Sequence, residues 1–244
     1  MKDLFSLDSR RYQQARPIYP QAMLQHLLSY VHTRDLAWDC GAGSGQLTHM
    51  LAPYFEQVVG TDISQSQLDH AEYYDNISYQ VQPAEKTTFP DHCFDLITVA
   101  QAVHWFDFEA FYAEVKRTLK PRGIFAIIGY GLIEVDDPLF HMQIQQLYHH
   151  TLRGHWDPER RYIDQHYRTI PFPFQEIQMP NFDIRLRWSF KQLIQYLGTW
   201  SAVQHYILQK GTDPLQELNA ACADLNQIVE VRFPVLLRVG VQVR

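Results

Sequence analysis

Three glycines at alternate positions, Gly41, Gly43 and Gly45, stand just behind an acid, Asp39, and the short apolar run Leu36-Ala37-Trp38. A second acid, Asp62, closes the run Gln57-Val58-Val59-Gly60-Thr61. A third group able to exchange a proton, His104, follows the apolar stretch Phe94–Ala100 and is itself followed by Trp105 and Phe106. Alternate glycines let the main chain approach a ligand with no Cβ in the way. A helix opening near Gln46 aims free N–H groups and the positive end of its dipole at the same place. A carboxylate at the end of the second strand of a βαβ unit accepts hydrogen bonds from both hydroxyls of a ribose. The first chemistry these residues suggest is therefore the binding of a nucleoside.

The loop itself narrows the choice. A phosphate-binding P-loop needs a Lys-Ser/Thr pair after its glycines; Gln46-Leu47 stands there instead. A dinucleotide loop reads G-x-G-x-x-G; here the third glycine comes one residue early and Gln46 takes its place. A carboxylate two residues before the first glycine faces a pyrophosphate badly and suits an ammonium group. S-adenosylmethionine (SAM) carries an ammonium, a sulfonium and a ribose, and no phosphate.

The elements that must position these groups follow from periodicity. Met23, Leu24, Leu27, Leu28 and Val31 share one face of a helix over residues 20–32. Leu47, Met50, Leu51 and Phe55 give a second helix, and Ser64 with Gln67 forms a capping box for a third. Strands are expected at Gln57–Asp62, over residues 77–82, at Phe94–Ala100 and over 124–128. A helix capped by Asp107 and ended by Pro121 and Gly123 precedes the last of them. Strands alternating with helices imply a parallel sheet covered on both faces, with the strand-end loops along one edge. Phe182, Ile184, Leu186 and Trp188 alternate with Asp183, Arg185 and Arg187, and Val235, Leu237, Val239, Val241 and Val243 form a similar stripe. Both read as half-buried antiparallel strands. Helical stretches near Lys191–Leu197 and over residues 214–226 lie between them.

Taken in order, Asp39-Cys40-Gly41-Ala42-Gly43-Ser44-Gly45, Asp62, Pro83-Ala84-Glu85, Phe94-Asp95-Leu96-Ile97-Thr98 and Ala102-Val103-His104-Trp105-Phe106-Asp107 resemble the class I SAM-dependent methyltransferases. The subgroup they are most similar to is that of the small-molecule enzymes like trans-aconitate methyltransferase. The resemblance implies a Rossmann-like α/β fold: a mostly parallel seven-stranded sheet with an antiparallel C-terminal strand pair and a helical cap insertion. It implies one domain over residues 1–244, with 1–20 as an N-terminal strap and 132–180 as the cap. It also implies a cofactor set of Tyr12, Arg16, Asp39, Gly41, Ala42, Gly43, Gly45, Asp62, Ile63, Ala84, Glu85 and Ala100. In that arrangement Tyr12 and Arg16 belong to a strap folded over SAM, Arg16 pairs with the methionyl carboxylate, Ile63 packs on the adenine, and the Ala84-Glu85 loop reaches the adenine edge. Gly198-Thr199-Trp200-Ser201-Ala202 resembles the family's late substrate-side segment, which makes Trp200 a substrate candidate.

Methyl transfer from a sulfonium is an in-line displacement that needs alignment and exclusion of water, and orientation alone supplies about 7–11 kcal/mol. A carboxylate acceptor needs no base, whereas a phenol or carbon acid does. His104 is the titratable side chain at the end of the fourth strand and so the candidate base; Trp105 beside it is a candidate wall for the methyl group. The stretch from Leu132 to Pro180 lacks an apolar strand and carries Arg160, Arg161 and Arg168 in a chain of net charge −6. Guanidinium groups grip carboxylates in a two-pronged way, which makes Arg168 a substrate candidate and a small acid the expected acceptor. Each of these side chains, taken singly, is equally at home in packing or on a solvated surface.

Composition sets the remaining bounds. The chain has 244 residues, enough for one α/β domain with a cap. The acidic balance and the lack of a basic block argue against a nucleic-acid partner. Cys40, Cys93 and Cys222 are far apart and form neither a zinc signature nor a disulfide framework; no metal is expected, and reduced thiols suit a cytoplasmic protein. The first residues lack the apolar region of a signal peptide, and no run approaches the ~20 apolar residues of a membrane span. A monomer or homodimer is expected. Two other readings stand beside methyl transfer. One is a SAM- or S-adenosylhomocysteine (SAH)-binding domain without catalysis, acting as a partner subunit. The other is a nicotinamide oxidoreductase, which Asp39 and Gln46 disfavour.

Overall fold

The computed structural model describes residues 17–221 and 224–243; Tyr12 and Arg16, and with them most of the expected strap, lie outside the described residues. Strands β1 (Leu36–Cys40), β2 (Gln57–Asp62), β3 (Ile77–Val81), β4 (Phe94–Ala100) and β5 (Leu119–Tyr130) pair in parallel in the order β3-β2-β1-β4-β5. Four further strands are β6 (Glu134–Val135), β7 (Gln175–Ile177), β8 (Asp183–Ser189) and β9 (Ile228–Val241). β9 runs antiparallel to β5, and β6, β7 and β8 each pair with β9 in the same sense. Among the described residues the sheet thus has nine strands, not seven, and its antiparallel part is built around one long strand.

The central strands are buried on both faces because helices cover both. Alternate residues of β1, β4 and β5 enter two different apolar clusters: Ala37, Leu96 and Ala126 one, Trp38, Ile97 and Phe125 the other. Helices α1 (Gln21–Leu28) and α2 (Gln46–Leu51) join the first cluster. Between β2 and β3 lies α3 (Gln65–Leu68), where the Gln67 N–H donates to Ser64 Oγ at 3.4 Å, as the capping reading expects. Helix α4 (Phe108–Thr118) buries Phe111, Tyr112 and Val115 in the second cluster, and Asp107 caps it by accepting from the Ala110 N–H. The amino ends of β1 and β4 are pinned together: the Asp95 carboxylate accepts the Asp35 and Leu36 amides at 3.0 Å and the Lys120 ammonium at 2.8 Å. The opposite, carboxyl edge is left for the loops.

Several expectations are corrected. α4 ends at Thr118, and β5 already begins at Leu119 rather than at residue 124. Pro121 and Gly123 fall inside its irregular start, where the register with β4 shifts between Phe94 and Leu96 and a missing N–H is tolerated. In β9 the buried side chains are Val229, Val231 and Phe233, then Leu236 and Val239. The odd-numbered side chains keep one phase throughout, with Val235, Leu237 and Val241 packed against the first cluster as expected; Val243, expected on that stripe, lies past the end of β9 and is 64% exposed. The 132–180 segment holds β6 and β7, strands too short to show a period of two. Its helix α5 (Pro138–Gln146) continues as a π-turn at Leu147–Thr151, and a second helix, α6 (Arg160–Asp164), follows. Beyond β8 come α7 (Phe190–Gly198), α8 (Ser201–Lys210) and α9 (Gln216–Ala221). α8 was not anticipated: its apolar residues form no stripe, and Leu208 is left 83% exposed.

The same segment crosses from one face of the sheet to the other. Phe140, Ile144, Tyr148 and Leu152 belong to the first cluster; Ile163, Tyr167 and Ile170 belong to the second. The crossing brings α6 against the Val103–Trp105 turn that follows β4. Tyr167 anchors the far side. Its ring fills the space a Cβ would need at Gly129 of β5, and Arg238 Nη1 donates to the Tyr167 and Ile170 carbonyls at 3.1 and 2.7 Å. His166 and Tyr167 both take positive φ, 54° and 59°, a conformation that costs free energy in side-chain-bearing residues and that the surrounding packing holds in place.

Candidate active site

A single cleft at the carboxyl edge gathers most of the residues singled out from the sequence. It is lined by Asp39, Gly41, Ala42, Gly43, Asp62, Ile63, Ala84, Ala100 and Trp105. The loop from β1 to α2 reaches it with positive φ at Gly41, +67°, and Gly45, +78°. A Cβ on Gly41 would meet Ala102 Cβ at 2.6 Å, and one on Gly45 would collide with the Tyr79 hydroxyl. Both glycines are thus required by close approach as well as by conformation.

Each carboxylate is held by its neighbours. Asp39 is 1% exposed; Thr48 Oγ1 donates to its Oδ2 at 2.7 Å and Thr98 Oγ1 to its Oδ1 at 2.9 Å. Burial pushes the Asp39 carboxyl up to about 6, against the pull of those two hydroxyls. Such a group favours a cation above it. Asp62 Oδ2 accepts the Gly43 N–H and Oδ1 the Ser64 N–H, each at 2.9 Å.

The cleft suits SAM better than a phosphate ligand. The Ala42 amide donates to the Thr61 carbonyl and the Gly43 amide to Asp62, so neither is presented as an anion-binding N–H. Among the described lining residues there is no lysine, arginine or histidine, and there are two carboxylates. That polarity fits an ammonium and sulfonium with a hydroxylated sugar and opposes a pyrophosphate.

The other sequence candidates are placed elsewhere. Gly45 lies just behind the lining. Glu85 accepts the Asp107 N–H at 3.2 Å and so ties the β3–β4 loop to the α4 cap. Trp200, 3% exposed, is packed between Tyr148, Trp156 and Tyr196. Arg168 is exposed on the outer surface of the cap. His104 is 7% exposed and does not line the cleft; it stacks on Tyr167 at 6.2 Å and tilts against Trp105 at 5.1 Å. Burial, then the charge of Arg160, push its imidazole down to about 3. It is neutral at any working pH. Its Nδ1 is buried with no hydrogen-bond partner among the described residues.

The sequence reading missed the polar residues of the lining, Gln46, Ser64, Gln67, Gln82 and Gln101. Gln101 carries the clearest structural signal: it takes φ 55° directly after β4, and its side-chain amide donates to the Tyr130 carbonyl at 3.3 Å. A polar residue ending a wholly apolar strand is the trace it leaves in the sequence.

A Rossmann-like sheet with a glycine loop after β1, an acid after β2 and a cation-favouring cleft defines a class I SAM-dependent methyltransferase. Comparison with known proteins agrees. A family model described as a methyltransferase domain matches residues 38–127. A methyltransferase of Dictyostelium discoideum is 34% identical over 96% of this chain and 93% of its own. A protein of Anaeromyxobacter dehalogenans described as a type II methyltransferase superposes with a TM-score of 0.85 at 40% identity, over 93% of this chain and 97% of its own. The YcgJ protein of Bacillus subtilis, at 21% identity and a TM-score of 0.54, covering 92% of this chain and 100% of its own, shares the fold. The chain belongs to the SAM-dependent methyltransferase family. These relatives do not single out the trans-aconitate subgroup. Among the described residues no helix is long and apolar enough to cross a membrane.

Proposed function

We propose that the protein methylates a carboxylate oxygen of a small acid bound between the cleft and the 132–180 segment. The observation that supports this reading is that, among the described residues, no competent base stands at the reacting end of the cleft. Asp39 and Asp62 are committed to hydroxyl and amide donors. His104, the base expected from the sequence, is held neutral with a pKa near 3 and lies behind the lining. A phenol or carbon acid needs a proton acceptor matched to working pH; a carboxylate is already ionised there.

In this reading SAM supplies an electrophilic methyl group. Asp62 accepts the ribose hydroxyls, and Asp39 lies beneath the ammonium as its counter-charge. Ile63 and Ala84 flank the adenine. Tyr12 and Arg16 belong to a strap, residues 1–20, that closes over the cofactor. Ala100, Trp105 and Phe106 wall the reacting end and exclude water, which is where the rate gain from orientation arises. The acceptor oxygen attacks without first losing a proton, and the product is a neutral methyl ester. Residues 1–244 act as one unit, with 132–180 as its cap.

The test is transfer of labelled methyl from SAM to mono-, di- and tricarboxylates, phenols and a nucleic-acid pool. Alkali-labile methyl esters are the expected product. Label found only in phenols or nucleic acid would refute the carboxylate reading.

A further inference from the structure

The carboxylate-lined cleft raises a problem for an acidic acceptor. Asp39 and Asp62 face it, and no basic side chain lines it among the described residues. An anion entering there needs a counter-charge supplied from beyond the lining, on the side of Trp105.

Arg160 is the cation whose field reaches that side. It opens α6, the helix that packs on the Val103–Trp105 turn. Its side chain is only 20% exposed, unusual for an arginine. The guanidinium carbon lies 5.0 Å from the Trp156 ring centre and 5.3 Å from that of Tyr148. Nε donates to the Tyr148 hydroxyl at 2.7 Å and stands 3.5 Å from Asp164 Oδ1. These contacts hold the plane of the group and occupy one of its nitrogens. Neither Nη has a hydrogen-bond partner among the described residues. The guanidinium is partly exposed, so its terminal donors reach solvent and are open to an anion.

A buried nitrogen without a partner among the described residues lies across the same contact. His104 Nδ1 is buried with no partner, and His104 belongs to the turn against which α6 packs. Arg160 is also the charge that, after burial, most disfavours a protonated His104. The two groups therefore complement each other only when a third, negative group joins them: a carboxylate accepts from the Nη donors and from a neutral Nδ1–H together.

We propose that Arg160, packed against the adjoining rings of Trp156 and Tyr148, and His104 Nδ1 form the anion-binding subsite that holds the carboxylic acid acceptor. This rests on the proposed methyl transfer to small acids and assigns the residues that recognise them. It moves recognition from the exposed Arg168 to the caged Arg160. It also gives His104 a hydrogen-bonding task in place of proton removal. A planar fork fixed by two aromatic rings selects a flat anion, which a lysine ammonium does less well.

The test uses full-length protein saturated with SAH and measures binding of citrate and benzoate by calorimetry, with benzamide as the uncharged control. Trp156 fluorescence serves as an independent readout. The variants are Arg160→Gln, Arg160→Lys and, as a cap-surface control, Arg153→Gln; thermal melts check each fold. We expect at least one of the two anions to bind the unaltered protein about 30-fold more tightly than Arg160→Gln and about tenfold more tightly than Arg160→Lys. Arg153→Gln should match the unaltered protein, SAH affinity should stay within twofold throughout, and the loss in turnover should fall on KM. His104→Ala should weaken the same anion about tenfold. If neither anion binds the unaltered protein, or if both bind Arg160→Gln and Arg160→Lys equally well, the subsite is refuted. Continued formation of methyl esters by those variants would leave the carboxylate reading standing. Methyl transfer to phenols alone, unaffected by Arg160→Gln, would remove both.

Discussion

The two walls of the cleft are built by opposite means. On the cofactor side, the groups are set mostly by strand ends and the loops that follow them: Asp39 precedes its own glycine loop and accepts from Thr48 of the next helix and from Thr98 of β4, and Asp62 accepts from Ser64 two residues on and from Gly43 of that loop. On the cap side, Arg160, Tyr148, Trp156, His104 and Tyr167 meet only because a segment over 132–180 crosses the sheet edge. Local backbone geometry makes the first wall recognisable and hard to vary. Long-range packing makes the second one specific to this chain and open to change. The contrast suits a family with one shared donor and different acceptors.

The first way to break the contrast is to loosen the cap alone. Tyr167→Ala empties a fully buried site against Gly129 and should cost about 3–5 kcal/mol of stability. If the walls are independent, SAH affinity of the folded fraction changes little while acceptor turnover collapses. Equal loss of both, measured by calorimetry below the melting point, would show one cooperative site. Next in size is Asp62→Ala on the cofactor wall, expected to weaken SAH by about 2–4 kcal/mol through two charge-assisted bonds. An unchanged dissociation constant in a folded variant removes its ribose role.

A smaller effect comes from pH. The Asp39 carboxyl rises from 3.8 to about 6 on folding. The unliganded fold therefore loses stability from this group as pH climbs between those values, because the unfolded chain releases the proton first. A ligand ammonium prefers the ionised form, present above about 6. SAH should bind about tenfold more weakly at pH 5 than at pH 7.5, with a smaller thermal shift at the lower pH. A flat profile would mean that Asp39 is already ionised or plays no part in binding. The smallest effect sharpens the cap: Arg168→Ala should alter kcat/KM by less than twofold, and a large loss would return recognition to the surface arginines.

The same contrast explains what could be read from the sequence. The glycine loop, Asp62 and the apolar run of β4 are periodic or motif-like, so their places along the carboxyl edge follow from local chemistry. The cap offered charges without geometry. Arg160 and Arg168 differ little as letters, yet one is packed against two adjoining rings and the other is exposed. His104 read as a base because it is the titratable side chain at the end of the fourth strand; burial, and then the charge of Arg160, take that basicity away. β9 was half seen, since Pro234 reads as an interruption of the strand, whereas it pairs with Asp183 of β8 without a change of phase. Trp200 sits in a plausible motif but is enclosed by other aromatic rings.

The bond from Arg238 to the cap joins residues 71 positions apart, and its second arm spans 68. Contacts of that separation form late, because a long loop must close before they return any stabilisation. The parallel strands, whose partners are nearer in sequence, assemble first. The expected order in time then mirrors order in space: the donor half of the cleft should form before the roof is fastened, so that SAH binding should be regained before acid binding. Stopped-flow refolding checks this. The SAH-dependent phase should precede the change in Trp156 fluorescence, and only the later phase should slow in Arg238→Gln.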